Sequence, residues 1–366
     1  MSFTWDAIGQ PVVELDTPAL LVDLNIMESN IAKMARLFRD AGVKWRPHTK
    51  GIKIPAIAHR LIAAGAIGVT CAKVSEAEVM AAAGIRDILI ANQVVGPQKA
   101  VRLAALCKYA DPITTVDSPE NVRELDAAAK QMGVRLRVVI EVDCGLDRCG
   151  VKPGEPVVKL AQEISNCRNL RFAGLMTWEG QTLRVPAEQK RRAVEESLKL
   201  LTDSADACRT AGMPVDIVNC GGTGNYWLSA YVKGVTENEA GGGIFGDRYC
   251  QSKGADHPIG LTVLSTVISR PTPTRVVTDA GRKAIMLDDH GEPWPKNAEG
   301  VKSVRISAEH GQYELGAAST SPRIGDKLEW LVAYGDMTLF LHDILYGVRG
   351  GVVETVWPIL GRGKIQ

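Results

Sequence analysis

The sequence predicts an α/β fold, a TIM-type (β/α)8 barrel followed by a C-terminal, mainly β domain. Three observations support this fold class. Short β-branched runs alternate with longer alanine- and charge-rich segments, many of these runs are apolar throughout, and the helical pattern fades after about residue 260. Strands that helices cover on both faces are continuously apolar, so the alternation indicates a parallel sheet. An open, doubly wound sheet is the competing layout.

Eight runs have the composition of barrel strands, and the segments between them are long enough for crossover helices. They are residues 17–24, 44–50, 67–73, 87–94, 112–117, 136–143, 170–178 and 215–222. Eight such units within about 240 residues fit a closed barrel, where functional groups lie on loops at the C-terminal ends of the strands.

The last hundred residues contain strand-like runs such as LTVLSTVISRPTP and KLEWLVAYG, separated by Gly, Pro and Asp. The predicted domains are therefore a barrel over residues 15–255 and a β domain over 256–366, with residues 1–14 packing on the latter. A chain of 366 residues exceeds the usual size of one core, which agrees with two domains.

Composition and charge exclude several function classes. The formal net charge is +1 and no run of like charges stands out, so neither nucleic acid nor an anionic membrane is an expected partner. The start of the chain lacks the basic and apolar segments of a signal peptide, and no run of eighteen apolar residues occurs. Eight scattered cysteines without a CxxC pair suit reduced thiols. A cytoplasmic protein is the expectation.

One lysine, Lys50, ends the strand-like run KWRPHTK. In a barrel its amine would lie in the mouth, where a partly desolvated amine can attack an aldehyde and form a Schiff base. A surface lysine before a loop is the alternative.

A glycine-rich stretch, NCGGTGNYW, follows the last predicted barrel strand. Its glycines allow backbone N–H groups to converge, so this loop can cradle a phosphate, and EAGGGIFGD at 239–247 can complete the cradle. A glycine-rich turn that binds nothing is the alternative. The stretch lacks the pattern of a dinucleotide site.

Arg148 lies in EVDCGLDRCGV, after the sixth predicted strand. It can bind an anionic oxygen of a ligand, or it can pair with Asp143 or Asp147. An amine, a phosphate cradle and an arginine together match pyridoxal phosphate, which offers an aldehyde, a phosphate and a phenolate.

The chain resembles the alanine-racemase-type (fold type III) pyridoxal phosphate enzymes, in the branch of D-threonine aldolase, D-3-hydroxyaspartate aldolase and D-serine dehydratase. The resemblance rests on motifs in family order over nearly the whole chain: DTPALLVDL, RPHTK, CAKVSEAE, AGIRDILIANQVVGP, EVDCGLDRCGV, GGTG, DAGRK, EHG, LHD and VRGGVVETVWPILGRG. It implies a barrel, a β domain and a homodimer.

The resemblance also implies roles for single residues. Lys50 would be the Schiff-base lysine, Arg148 would bind O3′ of the cofactor, and Trp178 would stack beside the pyridine ring where relatives usually carry a tyrosine. The phosphate-binding positions would be Gly222, Thr223, Gly224, Gly242 and Gly243.

The departures from the family pattern concern the metal. Relatives place a His-x-Asp or His-x-Cys pair near the C-terminus for a divalent metal, and here Asp336 matches the acid while Tyr334 or a gap replaces the histidine. The expected divalent metal (Mg, Mn or Zn) thus lacks one ligand.

His310 is a candidate for proton transfer or metal binding. Glu179 stands where relatives often have histidine, and a desolvated carboxyl group there can act as a base.

The resemblance implies a lyase that acts on a small D-configured 3-hydroxy amino acid and cleaves it to glycine and an aldehyde. A D-serine-type dehydratase, which forms a keto acid and ammonia, is the alternative. A racemase and a cofactor carrier without turnover are further alternatives.

Overall fold

The computed structural model describes residues 4–366. Its strands are β1 Ala19–Asp23, β2 Lys44–Trp45, β3 Val69–Cys71, β4 Asp87–Gln93, β5 Asp111–Val116, β6 Leu136–Glu141, β7 Leu170–Met176, β8 Ile217–Cys220, β9 Glu237–Asn238, β10 Leu261–Ser269, β11 Arg275–Thr278, β12 Trp294–Pro295, β13 Val301–Ile306, β14 Gly311–Leu315, β15 Lys327–Leu331, β16 Ile344–Arg349 and β17 Val352–Pro358. Its α-helices are α1 Leu24–Ala41, α2 Pro55–Ala63, α3 Val74–Ala82, α4 Pro97–Leu106, α5 Pro119–Met132, α6 Glu155–Asn166, α7 Ala187–Thr210, α8 Tyr226–Ser229, α9 Arg248–Ser252 and α10 Gly335–Phe340.

Eight parallel strands form a barrel in the order β2-β9-β8-β7-β6-β5-β4-β3. A parallel bridge between His48 and Thr70 joins β2 to β3, and this bridge closes the ring. Each strand from β2 to β8 is followed by a helix, α2 to α8, as βα repetition requires. The predicted fold class is confirmed.

The barrel elements follow from local sequence. Helix α5 begins where the hydroxyl of Ser118 accepts a hydrogen bond from the backbone N–H of Asn121, with Pro119 in the first turn, and it ends at the left-handed Gly133. The interior of the barrel contains a cluster of buried apolar side chains contributed by five strands: Leu89, Ile113, Val139, Ala173, Met176 and Ile217. These side chains fill the interior, so the barrel is a packed core.

A second unit has mainly β structure. Its larger sheet runs in the order β13-β14-β11-β10-β1-β16-β17, with β15 also pairing β10 and β12 pairing β15. The pairs are antiparallel except for β1 with β16. One cluster of its core consists of Ala7, Val12, Leu15, Ala19, Leu21, Leu264, Val353 and Val356.

The structure corrects the predicted set of barrel strands at both ends. The run at 17–24 forms β1, which pairs with β10 and β16 in the β-rich unit. The missing barrel strand is β9, two polar residues long. Lys50 therefore follows the first strand of the barrel, and the GGTG loop follows the seventh.

The chain divides into two compact units. The barrel unit contains Lys33–Gly241 and Gly363–Gln366, and the β-rich unit contains the chain before Lys33 and Gly242–Arg362. The predicted barrel domain, residues 15–255, extends further along the chain at both ends than the main segment of this unit, Lys33–Gly241. Of the predicted packing segment 1–14, residues 1–3 lie outside the described residues. Within residues 4–366, no helix is both long and apolar enough to cross a bilayer.

Candidate active site

Lys50 lies in a 3₁₀ turn directly after β2, at the C-terminal end of the barrel, as predicted. The turn is fixed from both sides. Nδ1 of His48 accepts a hydrogen bond from the backbone N–H of Lys50 (3.3 Å), and the hydroxyl of Thr49 donates to the carbonyl of Thr70 on β3 (2.9 Å). Burial and the charge of Lys50 lower the pKa of His48 well below its ordinary value, so the imidazole can accept this bond. The side chain of Lys50 is exposed.

The GGTG loop follows β8, and the buried side chain of Glu179 holds it in place. One carboxylate oxygen accepts the backbone N–H of Gly221 (3.1 Å), and the other accepts the side-chain amide of Asn225 (3.0 Å). Asn225 in turn accepts the backbone N–H of Gly222 through Oδ1 (3.1 Å). The N–H of Gly222, one of the predicted phosphate-binding positions, is thus used within the protein. Gly222 and Thr223 form the half-exposed tip of the loop.

The glycines of this loop are required by close approaches. Gly221 has φ +84°, and a Cβ there would lie 2.1 Å from the Asn238 side chain. A Cβ on Gly222 would lie 2.5 Å from the indole of Trp178, and one on Gly224 would lie 2.7 Å from Leu183. Trp178 therefore packs directly against the loop. A half-buried indole at this point fits the predicted ring contact with a cofactor whose phosphate enters the loop.

Glu179 is 0% exposed, and the two hydrogen bonds occupy both of its oxygens. Burial raises the pKa of this carboxyl group to about 7, although the hydrogen bonds from Gly221 and Asn225 oppose the shift. A group enclosed in this way supports the loop. Its contacts favour a positioning role over the predicted role as a base that meets substrate.

Arg148 has a partner that the sequence did not reveal. Its guanidinium donates to Glu141 at the end of β6 (3.1 Å), and the amide of Gln93 on β4 donates to the other oxygen of Glu141 (2.7 Å). Asp143 and Asp147, the alternative partners that the sequence offered, instead accept from Lys152. Glu141 thus orients Arg148 above the barrel. The carboxylate at the end of the strand LRVVIE was the available signal.

These residues fit pyridoxal phosphate. The amine of Lys50, the tip of the GGTG loop, the Trp178 indole and the oriented guanidinium of Arg148 all belong to loops at the C-terminal ends of barrel strands, which is where TIM barrels bind ligands. The barrel unit thus contains an amine, a glycine-rich loop and a guanidinium, the kinds of group that match the aldehyde, the phosphate and the phenolic oxygen of this cofactor.

Asp336, the predicted metal ligand, lies in the first turn of α10 in the β-rich unit. Its carboxylate accepts the hydroxyl of Tyr334 (2.9 Å), whose ring stacks on His290 with centroids 4.4 Å apart and meets the edge of Tyr249. Burial and the charge of Asp336 raise the pKa of Tyr334, so its phenol stays protonated and donates.

The donor set around this carboxylate does not fit a divalent metal. A protonated phenol is a poor metal ligand, and it donates to one oxygen, Oδ2, of the Asp336 carboxylate. Within residues 4–366, no group of three or more His, Cys, Asp or Glu side chains is arranged to hold a metal ion.

The other predicted residues also lie in the β-rich unit. Gly242 and Gly243 begin the 3₁₀ turn Gly242–Ile244. His310 is exposed in the turn between β13 and β14, where its carbonyl accepts from the backbone N–H of Ser307 (2.9 Å). The roles predicted for these three residues stay predictions.

Comparison with known proteins finds relatives over nearly the whole chain. The family model of the alanine racemase N-terminal domain matches residues 22–249, and that of a serine dehydratase domain matches residues 260–348. The chain is 36% identical to D-threonine aldolase of Arthrobacter sp., covering 97% of this chain and 95% of that protein. It is 34% identical to 3-hydroxy-D-aspartate aldolase of Paracoccus denitrificans, covering 97% and 94%.

A dehydratase is also among the relatives. The chain is 31% identical to D-threo-3-hydroxyaspartate dehydratase of Delftia sp., covering 76% of this chain and 74% of that protein. The crystal structure of D-threonine aldolase from Filomicrobium marinum superposes with a TM-score of 0.95 at 35% identity, covering 98% of this chain and 99% of that one. The chain therefore belongs to the alanine-racemase-like, fold type III family of enzymes, for which pyridoxal phosphate is the expected cofactor.

Proposed function

We propose that this chain is a pyridoxal-phosphate-dependent lyase that cleaves a small D-configured 3-hydroxy amino acid to glycine and an aldehyde. The observation that carries the proposal is the position of Lys50, an exposed amine held in a fixed turn at the C-terminal end of a barrel strand. The similarity to two aldolases over nearly the full length of each chain supports the choice of reaction.

The residues of the barrel divide the work of holding the cofactor. Lys50 would bind its aldehyde carbon, and Arg148, oriented by Glu141, would donate to its phenolic oxygen. Thr223 at the half-exposed tip of the GGTG loop would meet the phosphate, and Trp178 would cover one face of the ring. When bound, the cofactor supplies a conjugated ring that accepts the electrons left at Cα.

The aldolase reaction needs a group that takes the proton of the substrate hydroxyl. In the aldolase reaction a base takes the proton of the β-hydroxyl before the Cα–Cβ bond breaks. Asp336 already accepts the Tyr334 hydroxyl, so we assign no metal to this step. His310 remains our candidate for the proton, and the variant His310→Gln tests it through the rate of aldehyde release.

Dehydration is the second candidate, because a hydroxyaspartate dehydratase is among the relatives. In that reaction the amine of Lys50 would take the proton from Cα and the β-hydroxyl would leave, which gives a keto acid and ammonia. The aldolase breaks the Cα–Cβ bond, whereas the dehydratase breaks the Cα–H and Cβ–O bonds. The products therefore differ, and product analysis separates the two reactions.

The test is incubation of the protein and pyridoxal phosphate with D-threonine, D-3-hydroxyaspartate, D-phenylserine and D-serine. Glycine with an aldehyde supports the aldolase, and a keto acid with ammonia supports the dehydratase. Loss of optical activity without either product would assign a racemase, and no change in any substrate would leave a cofactor carrier. Lys50→Ala is the matched negative control.

We also propose that the protein is a cytoplasmic homodimer, as the family resemblance implies. Analytical ultracentrifugation tests the assembly, and a mass near that of one 39.4 kDa chain would reject it.

A further inference from the structure

The side chain of Lys190 is buried at the start of α7, next to the GGTG loop. It belongs to the first turn of this helix, and the residue is only 7% exposed. This position is unfavourable for a lysine, because lysine side chains are rarely buried and the start of a helix carries the positive end of the helix dipole. The contacts that offset this cost therefore indicate what the residue does.

Two contacts of Lys190 lie in the segment that contains the GGTG loop. Its Nζ donates a hydrogen bond to the backbone carbonyl of Gly224, the last residue of the GGTG sequence (2.5 Å). The same Nζ lies 4.9 Å from the ring centre of Trp227, in the short helix α8 that follows the loop. This side chain thus joins α7 to the loop.

The bonded carbonyl points into the protein, away from the exposed part of the loop. Gly224 is buried, whereas Gly222 and Thr223 form the half-exposed tip. The other side of the same peptide group is also held, because the N–H of Asn225 donates to the carbonyl of Gly222 (3.1 Å). Lys190 therefore fixes the direction of one peptide group directly behind the tip.

The direction of the Gly224 carbonyl matters for a loop that binds an anion. Such a loop must turn N–H groups toward the ligand and carbonyl oxygens away from it, because the oxygen is the negative end of the peptide dipole. A peptide group next to a glycine can rotate easily, since no Cβ restricts the backbone. The hydrogen bond from Lys190 opposes a rotation that would bring this oxygen toward a bound phosphate.

The connection from β7 to α7 supports the loop at both of its ends. Glu179 accepts the N–H of Gly221 at the start of the loop, and Lys190 donates to the carbonyl of Gly224 at its end. Between them, Leu183 packs so closely that a Cβ on Gly224 would lie 2.7 Å from its side chain. One continuous segment of the chain therefore sets the conformation of the loop.

We propose that Lys190 is a positioning residue that keeps the GGTG loop in the conformation that accepts the phosphate of pyridoxal phosphate. The inference rests on the proposed function, in which this loop meets the phosphate. Lys190 acts through the carbonyl of Gly224 and not on the reacting atoms. Its loss should therefore weaken the binding of the phosphate and leave the contacts to the aldehyde and the ring, which other residues supply, unchanged.

The test compares pyridoxal phosphate with pyridoxal, which has the same ring and aldehyde but lacks the phosphate. Absorbance titration of the cofactor-free protein gives the affinity for each compound. In Lys190→Met the affinity for pyridoxal phosphate should fall about tenfold, as expected for the loss of one hydrogen bond, while the affinity for pyridoxal stays at the wild-type value. Lys190→Arg keeps a donor at this position and should recover most of the loss.

Hydrogen exchange of the loop gives a second measurement, which needs no cofactor. Deuterium uptake in peptides that span residues 219–229 reports opening of the bond from the N–H of Asn225 to the carbonyl of Gly222. Exchange should be about tenfold faster in Lys190→Met than in wild type. Lys199→Met, on an exposed face of the same helix, is the matched control and should change neither this rate nor either affinity.

Equal losses of affinity for the two compounds in Lys190→Met would indicate a general role in folding and would overturn the proposal, as would unchanged affinities for both. Should Lys190→Met fold poorly, Lys190→Gln, whose shorter side chain does not reach the carbonyl, is expected to give the same selective loss. Failure of the proposed function would look different, since the wild-type protein would bind neither compound while the faster exchange in Lys190→Met would persist.

Discussion

Replacing Glu179 with glutamine should remove a specific pH dependence of stability. Burial raises the pKa of this carboxyl group from an ordinary 4.5 to about 7. The unfolded chain then releases its proton at a lower pH than the folded chain does. The contribution of Glu179 to stability is most favourable below pH 4.5 and is lost as the pH rises to about 7. A shift of this size corresponds to about 3 kcal/mol, and the side chain is fully buried.

Glutamine cannot titrate, and it offers one acceptor oxygen where the carboxylate offers two. One of the two donors, the N–H of Gly221 or the amide of Asn225, must then face an NH₂ group. This costs about 1–3 kcal/mol at any pH. We expect Glu179→Gln to be less stable than wild type at pH 5 and to match or exceed it at pH 8.

Urea unfolding of the cofactor-free protein, followed by tryptophan fluorescence at several pH values, measures the difference between the two free energies of unfolding. Glu195→Gln, on an exposed face of α7, is the control and should show no change with pH. If the difference between wild type and Glu179→Gln stays constant from pH 5 to pH 8, the proposed burial of this carboxyl group beneath the loop is refuted.

Three further predictions concern the loop, a buried ion pair and metal. Gly222→Ala should weaken the affinity for pyridoxal phosphate about tenfold, because its Cβ would lie 2.5 Å from the Trp178 indole; Trp178→Phe should recover part of the loss in a cofactor titration. Lys53→Met should lower the free energy of unfolding by about 3–5 kcal/mol, because it leaves the buried Glu76 carboxylate unpaired. Lys199→Met, which breaks the exposed ion pair with Asp203, should lower the free energy of unfolding by at most about 1 kcal/mol. Equal losses in the two variants would contradict the argument. Dialysis against EDTA should leave turnover unchanged, and a loss that Mn²⁺ restores would reject our interpretation of the tyrosine and aspartate pair.

The parts of the fold that the sequence predicts are those with a local signal. Strand-like runs, many of them apolar throughout, marked seven of the eight barrel strands. Strand β9 was missed because two polar residues, Glu237 and Asn238, carry no such signal. Strand β1 was placed in the barrel because its run, ALLVD, looks like a barrel strand. Its true partners, β10 and β16, lie more than two hundred residues away, and strand pairing over that distance cannot be inferred from composition.

In the candidate site, too, features with a local sequence signal were predicted and contacts without one were not. The position of Lys50 at the end of a strand and the glycines of the GGTG loop follow from local patterns. The partners of Arg148 and Glu179 do not. Glu141 lies seven residues before Arg148, but their contact depends on how the chain turns between them, and Asn225 reaches Glu179 across 46 residues. Whether a carboxyl group faces the mouth or lies beneath a loop depends on where the strand ends, and Glu179 comes three residues after β7.

The bond between Lys50 and pyridoxal phosphate is the central claim, and reduction of the cofactor-loaded protein with borohydride tests it most directly. Reduction makes the bond permanent, so peptide mass spectrometry can locate it among the lysines of the chain. The account predicts the added mass on the peptide that contains Lys50, and no added mass in Lys50→Ala. An added mass on another lysine, or none in the loaded wild-type protein, would contradict it.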